Sequence, residues 1–118
     1  MTRLTLSGIA SCDTCRKARK WLDAHDIDYR VRDLRQDGLD IQTLERWTGH
    51  AGWQTLLNTR SLTWRRLPDV DRSNVTRDRA LALMLDHPTL VKRPVLEHRK
   101  FVVVGFMPDQ YEELLQKR

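Results

Sequence analysis

Leu4 and Leu6 alternate with Arg3, Thr5 and Ser7, the period-two pattern of a half-buried strand, and Gly8 closes the run. From about Asp13 to His25 the apolar positions Cys15, Ala18, Trp21 and Leu22 recur three to four residues apart. That spacing predicts a helix, with Asp13 in the first turn where a negative charge is favourable. Ile27 to Asp33 alternates once more and reads as a second strand. Strand, helix and strand within ~30 residues form a βαβ unit, so the two strands should run parallel.

The pattern then becomes helical. Ile41, Leu44, Glu45 and Trp47 predict a short amphipathic helix closed by Gly49, and Gly52 to Leu57 starts another. Ser61 to Leu67 reads as a further helical turn stopped by Pro68. Thr76 caps a helix whose buried side carries Ala80, Leu81, Met84 and Leu85, ending before Pro88. No strand is expected in this block. Two apolar runs follow, Pro94-Val95-Leu96 and Phe101 to Val104, joined by His98-Arg99-Lys100, which predicts an antiparallel hairpin. A last helix starts near Pro108, with Asp109, Glu112 and Glu113 towards its N-terminal part and Lys117 and Arg118 at its end. Tyr111, Leu114 and Leu115 should face inward. The expectation is an α/β fold, βαβ then ββα around a mixed four-stranded sheet, with a helical insertion at about 38–88.

A length of 118 residues suits a single domain over 1–118. With 40% hydrophobic and 31% charged residues, five glycines and four prolines, the chain is neither disordered nor fibrous in composition. No run approaches the ~20 apolar residues of a membrane span, and Met1 to Ser7 is too short and polar for a signal peptide. The expected location is the cytoplasm, with no membrane partner and a monomeric state. The net charge of +5 favours anionic partners. Its basic residues form no run of five and do not interleave with aromatics, which argues against nucleic acid.

The two cysteines stand close together, in Ser11-Cys12-Asp13-Thr14-Cys15. A disulfide framework needs more of them, and a structural zinc site needs four ligands. His25, His50, His87 and His98 show no ligand spacing, so no metal is expected. What remains is redox chemistry or two ordinary buried thiols. Cys12 falls on the loop leaving the first strand, at the start of the helix, where unpaired N–H groups and the helix dipole stabilise a thiolate. Cysteines so placed reach pKa values of roughly 3.5–7.5, against about 8.5 for a free thiol. Arg16 and Lys17 add positive charge nearby. Cys15, one turn further on, is close enough for a disulfide. A C-x-x-C pair in this βαβ setting supports a thioredoxin-like reading, with Cys12 as nucleophile and Cys15 as resolving thiol.

The run Gly8-Ile9-Ala10-Ser11-Cys12-Asp13-Thr14-Cys15-Arg16-Lys17-Ala18-Arg19-Lys20-Trp21-Leu22 resembles the opening of the arsenate reductase-like (ArsC) family, which includes the Spx regulators and the YffB proteins. Gly52-Trp53, Leu56 to Arg60 and Trp64 to Leu67 look most like the YffB branch. His87-Pro88, Lys92 to Leu96 and Gly105-Phe106 continue the likeness in order, over nearly the whole chain. The resemblance implies a thioredoxin-like sheet with an inserted helical subdomain. It makes Cys12 the nucleophile, Arg93 an oxyanion-binding arginine, and Pro94 a cis proline facing the cysteine. Arg60 lies in the segment where arsenate reductases carry another active-site arginine, although a gapless register puts Asn58 there.

Two departures stand out. The third arginine of arsenate reductases has no counterpart in Phe101 to Phe106, which speaks against efficient reduction of arsenate, a compact anion helped by clustered positive charge. Cys15 is absent from many ArsC and YffB proteins but present in Spx, whose members carry a longer tail than the stretch ending at Arg118. The resemblance therefore implies a thiol-dependent, glutathione-linked reductase. No bound cofactor is expected; glutathione or another thiol serves as co-substrate, with glutaredoxin or thioredoxin as protein partners. Arg93, with Arg60 and Lys92, would hold an anionic group such as a glutathione carboxylate, and Pro94 would shape the groove. The alternatives are an Spx-like redox-sensing regulator that binds RNA polymerase, and an arsenate reductase proper.

Overall fold

Alternation at the start of the chain becomes strand β1, Thr5–Gly8, followed by helix α1, Asp13–Ala24, and strand β2, Arg30–Asp33. The computed structural model describes residues 4–116. Arg3 of the first alternating run, and Lys117 and Arg118 at the end of the last helix, lie outside the described residues. As the βαβ reading predicts, β1 and β2 are parallel, with Leu6 opposite Val31 and Gly8 opposite Asp33. The second strand starts at Arg30, three residues later than expected. The intervening residues instead finish the helix. Asp26 adopts the left-handed conformation at φ 54°, and the N–H of Ile27 reaches back to the carbonyl of Leu22 at 3.0 Å, a turn that stops α1 sharply.

The hairpin forms as expected. Strand β3, Val95–Glu97, runs antiparallel to β1 and to β4, Val102–Val104, giving the sheet order β2-β1-β3-β4. This is the mixed, thioredoxin-like sheet. Its last helix spans Pro108–Gln116. Leu4, Leu6, Leu96 and Val103 from the strands, Ala18 and Leu22 from α1, and Tyr111 and Leu115 from the last helix form one buried cluster. Both helices therefore cover the face of the sheet that carries Leu4 and Leu6. Leu114, expected inside, is only half-buried.

These elements make one compact unit, residues 1–33 and 93–118, and residues 34–92 make a second. The second unit is helical: α2 Ile41–Ala51, α3 Trp53–Leu56, α4 Leu62–Arg65, α5 Asp69–Arg72, α6 Arg77–Asp86 and a 3-10 turn at Pro88–Leu90. The last helix of the chain is accordingly α7. Gly49 does not end α2, because a glycine inside a helix costs only about 1 kcal/mol. The helix runs on to Ala51, where Gly52 turns the chain at φ 86°. Thr76 caps α6 as read, accepting from the N–H of Arg79 at 3.3 Å. Leu83 is buried there and Leu85 only partly. The short α5, built on Asp69-Val70-Asp71-Arg72, leaves Val70 exposed and carries no apolar periodicity to betray it. An isolated antiparallel bridge joins Leu57 to Val91.

Candidate active site

The turn from β1 into α1 sets the geometry. After Gly8 the chain folds so that the N–H of Cys12 donates to the carbonyl of Ile9 at 3.0 Å. Cys12 then occupies the N-cap of α1 with extended backbone, φ −81° and ψ 123°. Its carbonyl accepts the first helical bond, from Arg16 N–H at 3.0 Å. Cys15 follows one turn later and points into the protein. Both thiols are free; Cys12 is half-buried, and Cys15 only 1% exposed.

The two sulfurs differ in acidity. Burial raises the Cys12 pKa, but the backbone N–H of Cys15, the Cys15 thiol, the Arg93 guanidinium and the N–H of Thr14 together outweigh it and hold the group below an ordinary thiol. A neutral thiol is a weak acceptor, and Cys12 makes no side-chain cap bond in that form. The helix start favours the charged sulfur. Cys15 goes the other way. Burial, opposed in part by the backbone N–H of Ile9, combines with the Cys12 side chain and its charge to push the thiol up to about 11.

Arg93, half-buried, acts on both sulfurs, and the peptide bond from Arg93 to Pro94 is cis. Pro94 is buried, and its carbonyl accepts from the N–H of Gly105 at 2.8 Å, which anchors the turn before β3 against the end of β4. Arg16 behaves differently from expectation. It pairs with Asp13 across one helical turn, and the cation that acts on Cys12 is Arg93.

Lys92 and Arg60 meet in the second unit. The N–H of Lys92 donates to the carbonyl of Leu56 at 2.8 Å, and that of Asn58 to the carbonyl of Leu90 at 2.7 Å, bracketing the Leu57–Val91 bridge. The bridge brings Arg60 and Lys92 into one cleft of about 440 Å³ with Trp53, Gln54 and Asn58. Asn58 orders this loop itself, its side-chain oxygen accepting from the Arg60 N–H at 3.1 Å.

A match to the ArsC family model spans residues 8–114, nearly the full chain. The chain belongs to the ArsC family. A solved YFFB protein superimposes with a TM-score of 0.91 at 42% identity, covering 93% of this chain and 96% of that one. A solved arsenate reductase (ArsC) related protein from Brucella melitensis gives a TM-score of 0.76 at 46% identity, covering 98% and 96%. The global transcriptional regulator Spx of Listeria monocytogenes is 33% identical over 118 aligned residues, 98% of this chain and 88% of its own length. Among the described residues no helix is long and apolar enough to cross a membrane.

Two residues of this ArsC site escape a reading by motif. Gly8 closes β1 directly under Cys15, and Tyr111, fully buried on α7, has its pKa raised by burial and by the charge of Cys15. The only signal for Gly8 was its place immediately before the cysteine loop. For Tyr111 there was none beyond an apolar position in an amphipathic helix.

Proposed function

We propose that this ArsC-family chain is a thiol-dependent, glutathione-linked reductase in which Cys12 is the nucleophile. The observation that carries the reading is the inequality of the pair: an accessible Cys12 with lowered pKa at a helix start, beside a buried Cys15 held up to about 11. The Cys12 thiolate attacks one sulfur of a substrate disulfide, forming a Cys12–substrate disulfide and expelling the other sulfur as a thiolate, which takes a proton from solvent. Loss of the Cys12 charge removes one of the causes that hold the Cys15 thiol up. Cys15 then gives up its proton and attacks Cys12, releasing the second substrate thiol and leaving a Cys12–Cys15 disulfide. Two glutathione molecules reduce that disulfide and leave as oxidised glutathione. Alternatively, one glutathione attacks the mixed disulfide directly. Arg93 holds an anionic group of the co-substrate, and Pro94 forms the wall beside the sulfur.

The test is glutathione-dependent reduction of a small mixed disulfide, coupled to a glutathione-recycling system. Cys12→Ser abolishes turnover, while Cys15→Ser retains it where external glutathione resolves the intermediate. Full activity in the Cys12→Ser protein sinks the assignment.

The likeness to Spx over 98% of the chain favours a second reading, in which the pair is a redox switch on a regulator that binds RNA polymerase. Oxidation would then change affinity for the polymerase without turnover, and a pull-down in both redox states separates the two. An arsenate reductase proper is the third, decided by a coupled assay with arsenate and glutaredoxin.

A further inference from the structure

Helix α1 covers the sheet over β1 but stops short of the edge strand β2. Leu6 and Val31 are paired neighbours in a parallel register, so their side chains share one face. Leu6 is 2% exposed, and Val31 is 57% exposed. Between α1 and the edge strand lies a cleft of about 300 Å³. Leu6, Ile9, Ala10 and Val31 make it apolar, and Cys15 and Arg19, one helical turn apart, line it from α1. Arg19 is half-exposed, and among the described residues no carboxylate pairs with it. Arg32 and Asp33 complete the lining from β2, with Asp33 opposite Gly8.

We propose that this cleft binds a small amphiphilic carboxylate, with its apolar body over Val31, Leu6 and Ile9 and its carboxylate on Arg19. The size is at the lower end of small-molecule sites and suits a body such as a phenyl ring on a short chain. Burying the exposed Val31 face and the ring together supplies the hydrophobic gain. The guanidinium supplies the orientation and a charge-assisted hydrogen bond. The β1–α1 turn sets Cys15 beside Gly8, so Arg19, a turn further along α1, lies towards Leu6 and Val31, while Asp33 occupies the Gly8 end. The cleft shares Gly8 and Cys15 with the thiol site, while Cys12 and Arg93 do not line it.

The probe is 3-phenylpropionate, titrated into the 15N-labelled reduced protein, with amide shifts followed by NMR. Saturable shifts at Ile9, Ala10, Arg19 and Val31 are expected below about 10 mM, as an affinity of a few kcal/mol requires. Arg19→Gln weakens binding about fivefold, and Arg19→Lys restores part of it. Val31→Glu, at an exposed position, abolishes binding while leaving the rest of the spectrum native. The methyl ester of the same ring system binds more weakly than the probe. Cys12→Ser leaves the affinity unchanged, so the result stands apart from the fate of the reductase reading. Absence of saturable shifts at these four amides overturns the proposal, as does an affinity indifferent to both Arg19→Gln and Val31→Glu.

Discussion

A Cβ atom built on Gly8 would lie 2.5 Å from the Sγ of Cys15 and 3.3 Å from its Cβ. Gly8 therefore sets how deeply Cys15 sits beneath the start of α1. It also sets where Cys15 stands relative to Cys12, whose thiolate its side chain helps to stabilise.

Gly8→Ala should push Cys15 off its place. Overpacking of this kind costs about 1–3 kcal/mol of stability. With its Cys15 partner displaced, Cys12 should become less acidic, so alkylation of Cys12 near neutral pH slows and its midpoint moves to higher pH. Rates of iodoacetamide labelling against pH, with urea unfolding alongside, read both effects. An unchanged midpoint in a destabilised protein would show that Cys15 does not tune Cys12.

Arg93 acts on Cys12 from outside α1, so removing it should act on the thiol without loosening the helix. Arg93→Gln is expected to raise the alkylation midpoint of Cys12 and to raise the KM for an anionic thiol substrate. Arg93→Lys should recover much of the first effect and less of the second, since a single ammonium supplies charge but no planar fork. Equal behaviour of the two variants in both measurements would contradict an anion-binding role.

The raised pKa of Cys15 has a definite sign in stability. A thiol protonated more firmly in the folded state contributes fully below its unfolded value, about 8.5, and that contribution is lost as pH climbs towards about 11. The wild-type protein should therefore lose on the order of 2 kcal/mol across this window relative to Cys15→Ala. Tyr111, raised first by burial, adds to the loss in both proteins, and the difference between them reads Cys15 together with the part of the Tyr111 shift that the Cys15 charge causes. Urea unfolding at the two ends of the window makes the comparison. Cys12, whose pKa is lowered, works in the opposite sense and loses its contribution as pH falls through its folded value.

Tyr111 belongs to the core by its ring more than by its hydroxyl. The ring meets Trp21 and Phe106 edge-on at 5.7 and 5.2 Å between centroids, whereas the hydroxyl reaches the Gly105 carbonyl only at 3.4 Å. Tyr111→Phe should cost under about 1 kcal/mol, and Tyr111→Ala about 3–5 kcal/mol. Thermal melts of the two variants separate these contributions. A Phe variant as damaged as the Ala variant would place the weight on the hydroxyl instead.

Local structure was legible because it is written in short-range periodicity. The alternation of Leu4 and Leu6, the three-to-four spacing of Cys15, Ala18 and Leu22, and the oxygen side chain of Thr76 each act within one strand or a few helical turns. Those patterns, with the crossover rule, were enough for β1, α1, β2, the hairpin and the helical block, and for Cys12 at a helix start. Gly49 misled because its helix-breaking tendency is weaker than the packing of Leu44 and Trp47, both fully buried on α2. Helix α5 was invisible because a four-residue, largely charged turn has no period to read.

Only the tertiary structure decided how the pieces act on one another. The C-x-x-C spacing alone ranks neither sulfur by burial. It took the sheet beneath α1 to bury Cys15 and raise its pKa, and the turn before β3 to bring Arg93 to bear on Cys12, 81 positions away in the chain. Likewise, Arg16 is the nearby cation in sequence, but it pairs with Asp13, and Arg93 acts on Cys12. The exposure of Val31 follows from the width of one helix against the width of a sheet, a quantity carried by no single residue. Electrostatics and packing depend on distance in space, and the order of residues along the chain specifies that distance only within an element.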